Sequence, residues 1–294
     1  MQTVEVDFFE RLDKLNTYRK GNQRAPHKPL YILYLIASIQ QGQPRLHKFA
    51  SIEANLVEAL QRFGLANKSQ HAHYPFWRLQ NDNIAEVSPK SGYDLRASNS
   101  DPKKSSLLKL NAAGGFVESY FDLLSGDLSI QSKAIRKLLD AHFPPSIHEE
   151  IILFFNLRVE GARSGDVHSD SEFRTNLLSS YGNKCALTGY SLHFRGEFPG
   201  LEAAHLCWPQ AGGNDDVSNG ILMTTLCRKL FHLGIIGVEP NDLRIVISDQ
   251  AADLGLRSAQ LSKSLHKKLS LPTGINCHPS IENLAWHKRW VFRN

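Results

Sequence analysis

The chain has 294 residues, 41% of them hydrophobic and 21% charged, with a formal net charge of +5 and a pI near 9.0. That balance excludes long disordered stretches and leaves room for two ordinary domains, each with a core of its own. No apolar run approaches the roughly 20 residues that cross a bilayer, and the polar start MQTVEVDFFERLDK lacks the apolar stretch of a secretion signal, so a cytoplasmic protein is expected.

The first predicted helix carries Phe8, Leu12 and Leu15 at helical spacing. In "HKPLYILYLIASIQQG" Pro29 stands near a helix start and Gly42 at its end. The helix between them is apolar nearly all round and therefore central to a core. A third helix is expected from Ile52 to Gly64. "YPFWRLQ" and "IAEVS" have strand character and flank the turn signal Asn81-Asp82-Asn83, which predicts a small hairpin. Helical periodicity returns in "LSIQSKAIRKLLDAHFPPSIHEEIILFFN", interrupted by Pro144-Pro145. The small, polar stretch from Gly161 to Ser171 reads as an inter-domain linker. Beyond it, "EFRTNLLSSYG" reads as a helix and "KCALTGY" as a strand entering a turn. The four cysteines, Cys185, Cys207, Cys227 and Cys277, include no CxxC pair. Buried thiols are expected rather than a disulfide framework or a zinc knuckle.

In ββα-metal chemistry a hairpin strand delivers a histidine whose pKa near 6.5 suits it to deprotonate water. An asparagine organises the hairpin loop, and a following helix supplies ligands for a metal that stabilises charge on the scissile phosphate. The segments "YGNKCALTGY", "LEAAHL", "GGNDDVSNGILM", "FHLGIIGV" and "HKRWVFR" resemble the HNH endonuclease family over residues 173 to 292. The resemblance implies that His205 is the general base and Asn219 the loop organiser. It breaks nine residues after Asn219, where the helix histidine of the family is replaced by Arg228, which cannot ligate a metal.

His232 lies one helical turn further along and matches a ligand position of the colicin-type nucleases, so loss and relocation of the metal site are both open. For a second ligand, Glu202 would need a strand bulge to reach the face of His205, since three residues back on a regular strand it points the other way. Asp215 or Asp216 would serve from the loop if they are more than solvated loop acids. Gly212-Gly213 most simply serve a turn.

In the first half, "RKGNQRAPHKPL" and "KSQHAHYPFWRL" combine basic, aromatic and proline residues, and "SDPKKSSLLK" would suit a loop reaching a DNA groove. By composition alone, Tyr74, Pro75, Phe76 and Trp77 are as readily core and turn residues. "APHKPL", "YPFWRL" and "AAGGF" together resemble the sulfur-binding domain of phosphorothioate-dependent type IV restriction endonucleases, which also carry a C-terminal HNH domain. The resemblance implies an apolar pocket for a phosphorothioate sulfur at Tyr74 and Pro75, with Phe76 beside them and His27 and Lys28 flanking. Arg24, Lys28, Lys103 and Lys104 would attract the backbone by counterion release, and Lys103, Lys104 and Ser105 would contact the groove.

The expected architecture is α+β: a mainly helical sulfur-binding domain over residues 1–160, a linker over 161–171 and an HNH domain over 172–294. The expected function is cleavage of phosphorothioate-modified duplex DNA with Mg²⁺ or Mn²⁺, Co²⁺ and Ni²⁺ being further candidates. His205, Asn219 and His232 would be catalytic, His232 and Glu202 would hold the metal, and a homodimer would cut both strands. Two rivals stand beside it: a reader that binds phosphorothioated DNA without cutting, with Arg228 as a phosphate contact, and a nuclease whose first domain takes another ligand.

Overall fold

The computed structural model describes residues 2–17, 19–20, 23–24, 26–64, 66, 71–96, 101–160, 172–250, 265 and 267–293. The expected linker, 161–171, lies outside the described residues. The protein is α+β and divides into two compact units. One comprises Met1–Gly64, Ser69–Phe143 and His148–Ser164, and the other Leu65–Lys68, Pro144–Ile147 and Gly165–Asn294.

The first unit is built around one apolar helix. Helix α1 (Gln2–Asp13) buries Phe8 and Leu12, whereas α2 (His27–Gln40) is buried from Lys28 to Ser38 at every position except Tyr34. Strands β1 (Arg19–Lys20) and β2 (Gln23–Arg24) pair antiparallel just before it. Around α2 pack α3 (Phe49–Phe63), α4 (His73–Arg78), α6 (Glu118–Ser125), α7 (Leu128–His142) and α8 (His148–Phe155). The Asp127 side chain caps α7 by accepting from Ser129 N at 2.7 Å, satisfying a donor that the helix itself leaves open.

A small antiparallel sheet runs in the order β3 (His47–Lys48), β5 (Ala113–Phe116), β4 (Ala85–Ser88), with α5 (Lys104–Lys109) leading into β5. The glycines of "AAGGF" are what let β5 sit in the middle. A β-carbon on Gly115 would lie 1.9 Å from the Arg45 carbonyl oxygen, and one on Gly114 would lie 2.9 Å from the Phe76 ring.

The expected hairpin of "YPFWRLQ" with "IAEVS" does not form. The first segment is α4 followed by a 3-10 turn over Leu79–Asp82, and the second is β4, which pairs with β5 instead. Pro75 lies in the first turn of α4, where its missing N–H costs nothing. Asn83, at φ +53°, ends the helical stretch in the left-handed conformation that asparagine tolerates.

In the second unit, α9 (Glu172–Ser180) precedes a hairpin of β6 (Leu201–His205) and β7 (Gly220–Thr224), which runs directly into α10 (Thr225–His232). A second hairpin, β8 (Ile236–Val238) with β9 (Ile245–Ile247), and α11 (Ile281–Trp290) complete it. The expected strand at "KCALTGY" is a turn. Gly189 N donates to Cys185 O at 2.8 Å, and Ala186 N makes a single bond, 2.9 Å, to Leu222 O of β7. Phe173, Leu177, Leu187, Leu206, Leu222 and Phe231 lie in its core, with the thiols of Cys185 and Cys227 unbridged beside them.

Candidate functional site

In the first unit the chemistry gathers on Tyr74. Arg78 and Arg96 place their guanidinium carbons 4.5 and 5.6 Å from the centre of its ring, a cation–π geometry that holds positive charge against an apolar face. Arg96 also donates to the Tyr74 hydroxyl at 2.9 Å and directs its other terminal nitrogen at His73 Nε2, 3.5 Å away. Burial, reinforced by the charges of His71 and Arg96, brings His73 down to about 4, so its neutral ring accepts from Arg96. Arg78 is held by the Asp101 carboxylate, with Nε at 2.9 Å. Arg96 pairs with no carboxylate among the described residues.

Pro75 is buried beside Tyr74, and Phe76 is fully buried, its ring 5.0 Å from Phe49 and 6.0 Å from Tyr31. Phe76 is therefore a core residue, not a wall of an open pocket. His27 opens α2. Lys28 turns inward: its ammonium lies 2.5 Å from Asp82, with 11% and 6% of the two side chains exposed, so its charge is balanced inside the unit. Lys103 and Lys104 are half exposed and rest on Asp94 at 2.8 Å and Glu53 at 2.5 Å, solvated pairs that a phosphate can displace. Ser105 is exposed beside them, and the Arg24 backbone lies in β2. No motif or spacing marks Arg96, which sits in a loop and reaches Tyr74 only through the fold.

In the second unit, β6 and β7 pair in unbroken register, with His205 opposite Gly220 at one end. The His205 imidazole stacks on Phe173 of α9, with centroids 4.1 Å apart and planes 14° apart. Its Nε2 lies 2.8 Å from Asp215 Oδ1. Burial lowers the His205 pKa, Asp215 opposes that shift, and the charge of Arg228 adds to it. A neutral His205 donates its Nε2 proton to Asp215 and leaves Nδ1 as the basic lone pair.

Asn219 is fully buried and fastens the loop: Nδ2 donates to Cys207 O at 3.0 Å and Asn214 O at 2.8 Å, while Oδ1 accepts from Cys207 N at 2.9 Å. Gly213 does more than turn the chain. A β-carbon there would lie 1.9 Å from Cys207 O and 2.8 Å from Asn219 Nδ2.

The expected metal ligands are placed otherwise. No bulge brings Glu202 round, because it pairs in register with Met223. Its carboxylate accepts from Arg228 Nη1 at 2.7 Å and from the Thr225 hydroxyl at 2.8 Å, with 16% and 18% of the Glu202 and Arg228 side chains exposed. Arg228 Nε is buried and has no hydrogen-bond partner among the described residues. His232 is buried, with Nδ1 2.5 Å from Ser146 Oγ and Nε2 3.4 Å from the His205 carbonyl oxygen. Burial, with Arg228 next in effect, keeps it neutral far below the usual histidine range. Both of its nitrogens are engaged, and neither is aimed at Glu202. His287 is likewise a core residue, stacked 3.5 Å from Phe231 and bonded to its carbonyl oxygen at 2.9 Å.

Among the described residues no three His, Cys, Asp or Glu side chains are placed to share an ion. The donor set does not fit a divalent metal in the arrangement that the resemblance implies. Glu202, the nearest carboxylate on β6, is instead engaged by Arg228.

A family model described as ScoMcrA-like, DNA sulfur-binding domain matches residues 5–159, more than half of the chain, and one described as HNH endonuclease matches residues 185–239. Among solved structures, the sulfur binding domain of ScoMcrA complexed with phosphorothioated DNA is similar at 19% identity, covering 50% of this chain and 94% of that one with a TM-score of 0.44. The corresponding domain of SprMcrA, also complexed with phosphorothioated DNA, is similar at 19% identity over 52% of this chain and 95% of that one, with a TM-score of 0.43. A structure described as the type IV phosphorothioation-dependent restriction endonuclease ScoMcrA gives 21% identity over 55% of this chain and 33% of that one, with a TM-score of 0.39. No curated protein matches the chain. No helix among the described residues is long and apolar enough to cross a membrane. With residues 5–159 matched by the sulfur-binding model and residues 185–239 by the HNH model, the chain belongs to the ScoMcrA-like DNA sulfur-binding domain family and carries an HNH endonuclease domain in the same polypeptide.

Proposed function

We propose that the chain recognises phosphorothioate-modified duplex DNA through the Tyr74–Pro75 surface and holds the DNA with its HNH domain without metal-dependent cutting. The recognition half rests on the family and on the chemistry around Tyr74. A phosphorothioate sulfur is larger, softer and a poorer hydrogen-bond acceptor than oxygen, so moving it from water onto the carbons of the partly exposed Tyr74 ring costs less. The charge that remains on the group meets Arg96, which no described carboxylate offsets, and the half-exposed Lys103 and Lys104 extend that attraction.

The observation that carries the second half is the Arg228–Glu202 pair, which occupies the helix position where the family's ligand histidine would stand. A guanidinium there cannot ligate a metal, and it engages the nearby carboxylate that could. A second reading, hydrolysis of the DNA, is favoured by the His205–Asp215 pair, which orients a neutral imidazole as a base would need to be oriented.

The full chain incubated with a phosphorothioated duplex and its oxygen counterpart, in Mn²⁺ or in chelator, separates these readings. Sulfur-dependent retardation with no product in either medium is expected. Sulfur-dependent product in Mn²⁺ alone would establish the nuclease instead, and equal retardation of the two duplexes would remove the sulfur reading. Tyr74→Ala is expected to bring the ratio of the two affinities close to one. An unchanged ratio in that variant would take Tyr74 out of the site.

A further inference from the structure

Between the turn at Cys185 and strand β6 the chain forms a short projecting hairpin that neither half of the proposed function uses. Phe194 N donates to Glu197 O at 2.9 Å and Glu197 N to Phe194 O at 3.0 Å, which closes a two-residue tip of Arg195 and Gly196. Both tip residues have positive φ, +51° and +88°. That is the tight hairpin turn normally given to asparagine and glycine, and an arginine adopts it against its steric preference.

Around the tip, Tyr190, Leu192 and Phe194 recur at every second position and are 40%, 49% and 60% exposed. Such spacing puts alternate side chains on one side of an extended chain. His193, between them, instead meets Phe198, with rings 5.2 Å apart, and Phe198 packs on the core of the unit. The hairpin is thus braced from beneath while a large aromatic ring stands in water. The Arg195 guanidinium lies 5.3 Å from the centre of that ring and pairs with no carboxylate among the described residues.

We infer that this hairpin is a DNA wedge, with Phe194 entering an opened base step from the minor groove and Arg195 following the groove. An exposed apolar cluster marks an interaction surface, and an unbalanced arginine beside an aromatic wedge suits the negative, narrow minor groove. A single turn at Pro199–Gly200, closed by Leu201 N donating to Phe198 O at 3.2 Å, joins the hairpin to β6. Ten residues separate Arg195 from His205, which bounds their separation at roughly 36 Å, about one turn of duplex. DNA lying on the His205 end of β6 therefore has the tip within a helical turn. The inference rests on the proposal that the HNH domain engages DNA, and it is independent of sulfur recognition.

The test uses the full chain and duplexes with and without the phosphorothioate, carrying 2-aminopurine at successive steps across one helical turn. Unstacking by the parent protein raises the fluorescence at one step, and Phe194→Ala abolishes the rise while weakening binding about tenfold. Arg195→Asn, which preserves the left-handed turn, is expected to lower the slope of log affinity against log salt by about one. A rise on both duplexes with equal affinity overturns the sulfur reading and sustains the wedge. Absence of any rise from the parent, or an identical rise in Phe194→Ala, overturns the wedge. A change from dimer to monomer in Phe194→Ala with DNA binding unaltered also overturns it and assigns the hairpin to a second copy of the chain.

Discussion

The Arg228–Glu202 pair gives the most quantitative expectation. Both side chains are about four-fifths buried, and Arg228 Nη1 meets Glu202 Oε2 at 2.7 Å. A charge-assisted hydrogen bond contributes about 1.5–3 kcal/mol, and residual exposure brings the coupling toward the lower part of that range, about 2 kcal/mol. Arg228→Ala leaves Glu202 with the Thr225 hydroxyl as its donor, and Glu202→Gln leaves a buried cation unbalanced. Each single variant is expected to destabilise the second unit by about 2–3 kcal/mol, and the double variant by clearly less than their sum. Urea unfolding followed by tryptophan fluorescence reads this out, because Trp208, Trp286 and Trp290 all lie in that unit. Additivity of the two substitutions within about 0.3 kcal/mol would refute the pair as a structural lock.

Arg228→His removes the cation and presents an imidazole to the Glu202 carboxylate. Uptake of Mn²⁺ by calorimetry, with sulfur-dependent nicking, is the expected gain, and no uptake would show that the metal position is lost at more than one residue. His287, brought down to about 3 by burial, binds a proton in the unfolded chain below about pH 6.5 but not in the folded one. Its contribution is therefore complete above that pH and lost as pH falls toward 3, at about 1.4 kcal/mol per unit. His287→Gln should flatten the acid limb of the stability profile by that slope, and an unchanged limb would assign the acid sensitivity elsewhere. Gly213→Ala sets a methyl against Cys207 O and Asn219 Nδ2, and is expected to lower the melting temperature of the second unit while leaving that of the first unchanged, as calorimetry would show.

The helices were legible wherever apolar spacing decided them, as in α2, whose all-round burial follows from "LYILYLIA". "YPFWRLQ" was not legible as a helix, because aromatic residues favour strands by composition and only its packing of Phe76 between Tyr31 and Phe49 selects the helical turn. His205 and Asn219 could be found from their motif, since each sits where a local pattern puts it. The partners that decide their chemistry could not. Asp215 reaches His205 through the loop, Phe173 arrives from α9, and Arg96 reaches Tyr74 across a chain separation of 22 residues. Lys28 shows the opposite limit: its residue type suits a phosphate contact, but the fold supplies Asp82 first.

The Asn219 clamp has a bearing on how such a domain can diversify. It ties the two mouths of the loop together at Cys207 and fixes the Asn214 carbonyl next to Asp215, so the placement of the His205 imidazole does not depend on the crown from Pro209 to Gly212. Loop entropy grows slowly with length, about 0.6 kcal/mol for each doubling. The crown can therefore lengthen or change character at small thermodynamic cost while the hairpin beneath it stays the same, which makes it a module that descendants of this chain can exchange without refolding the rest.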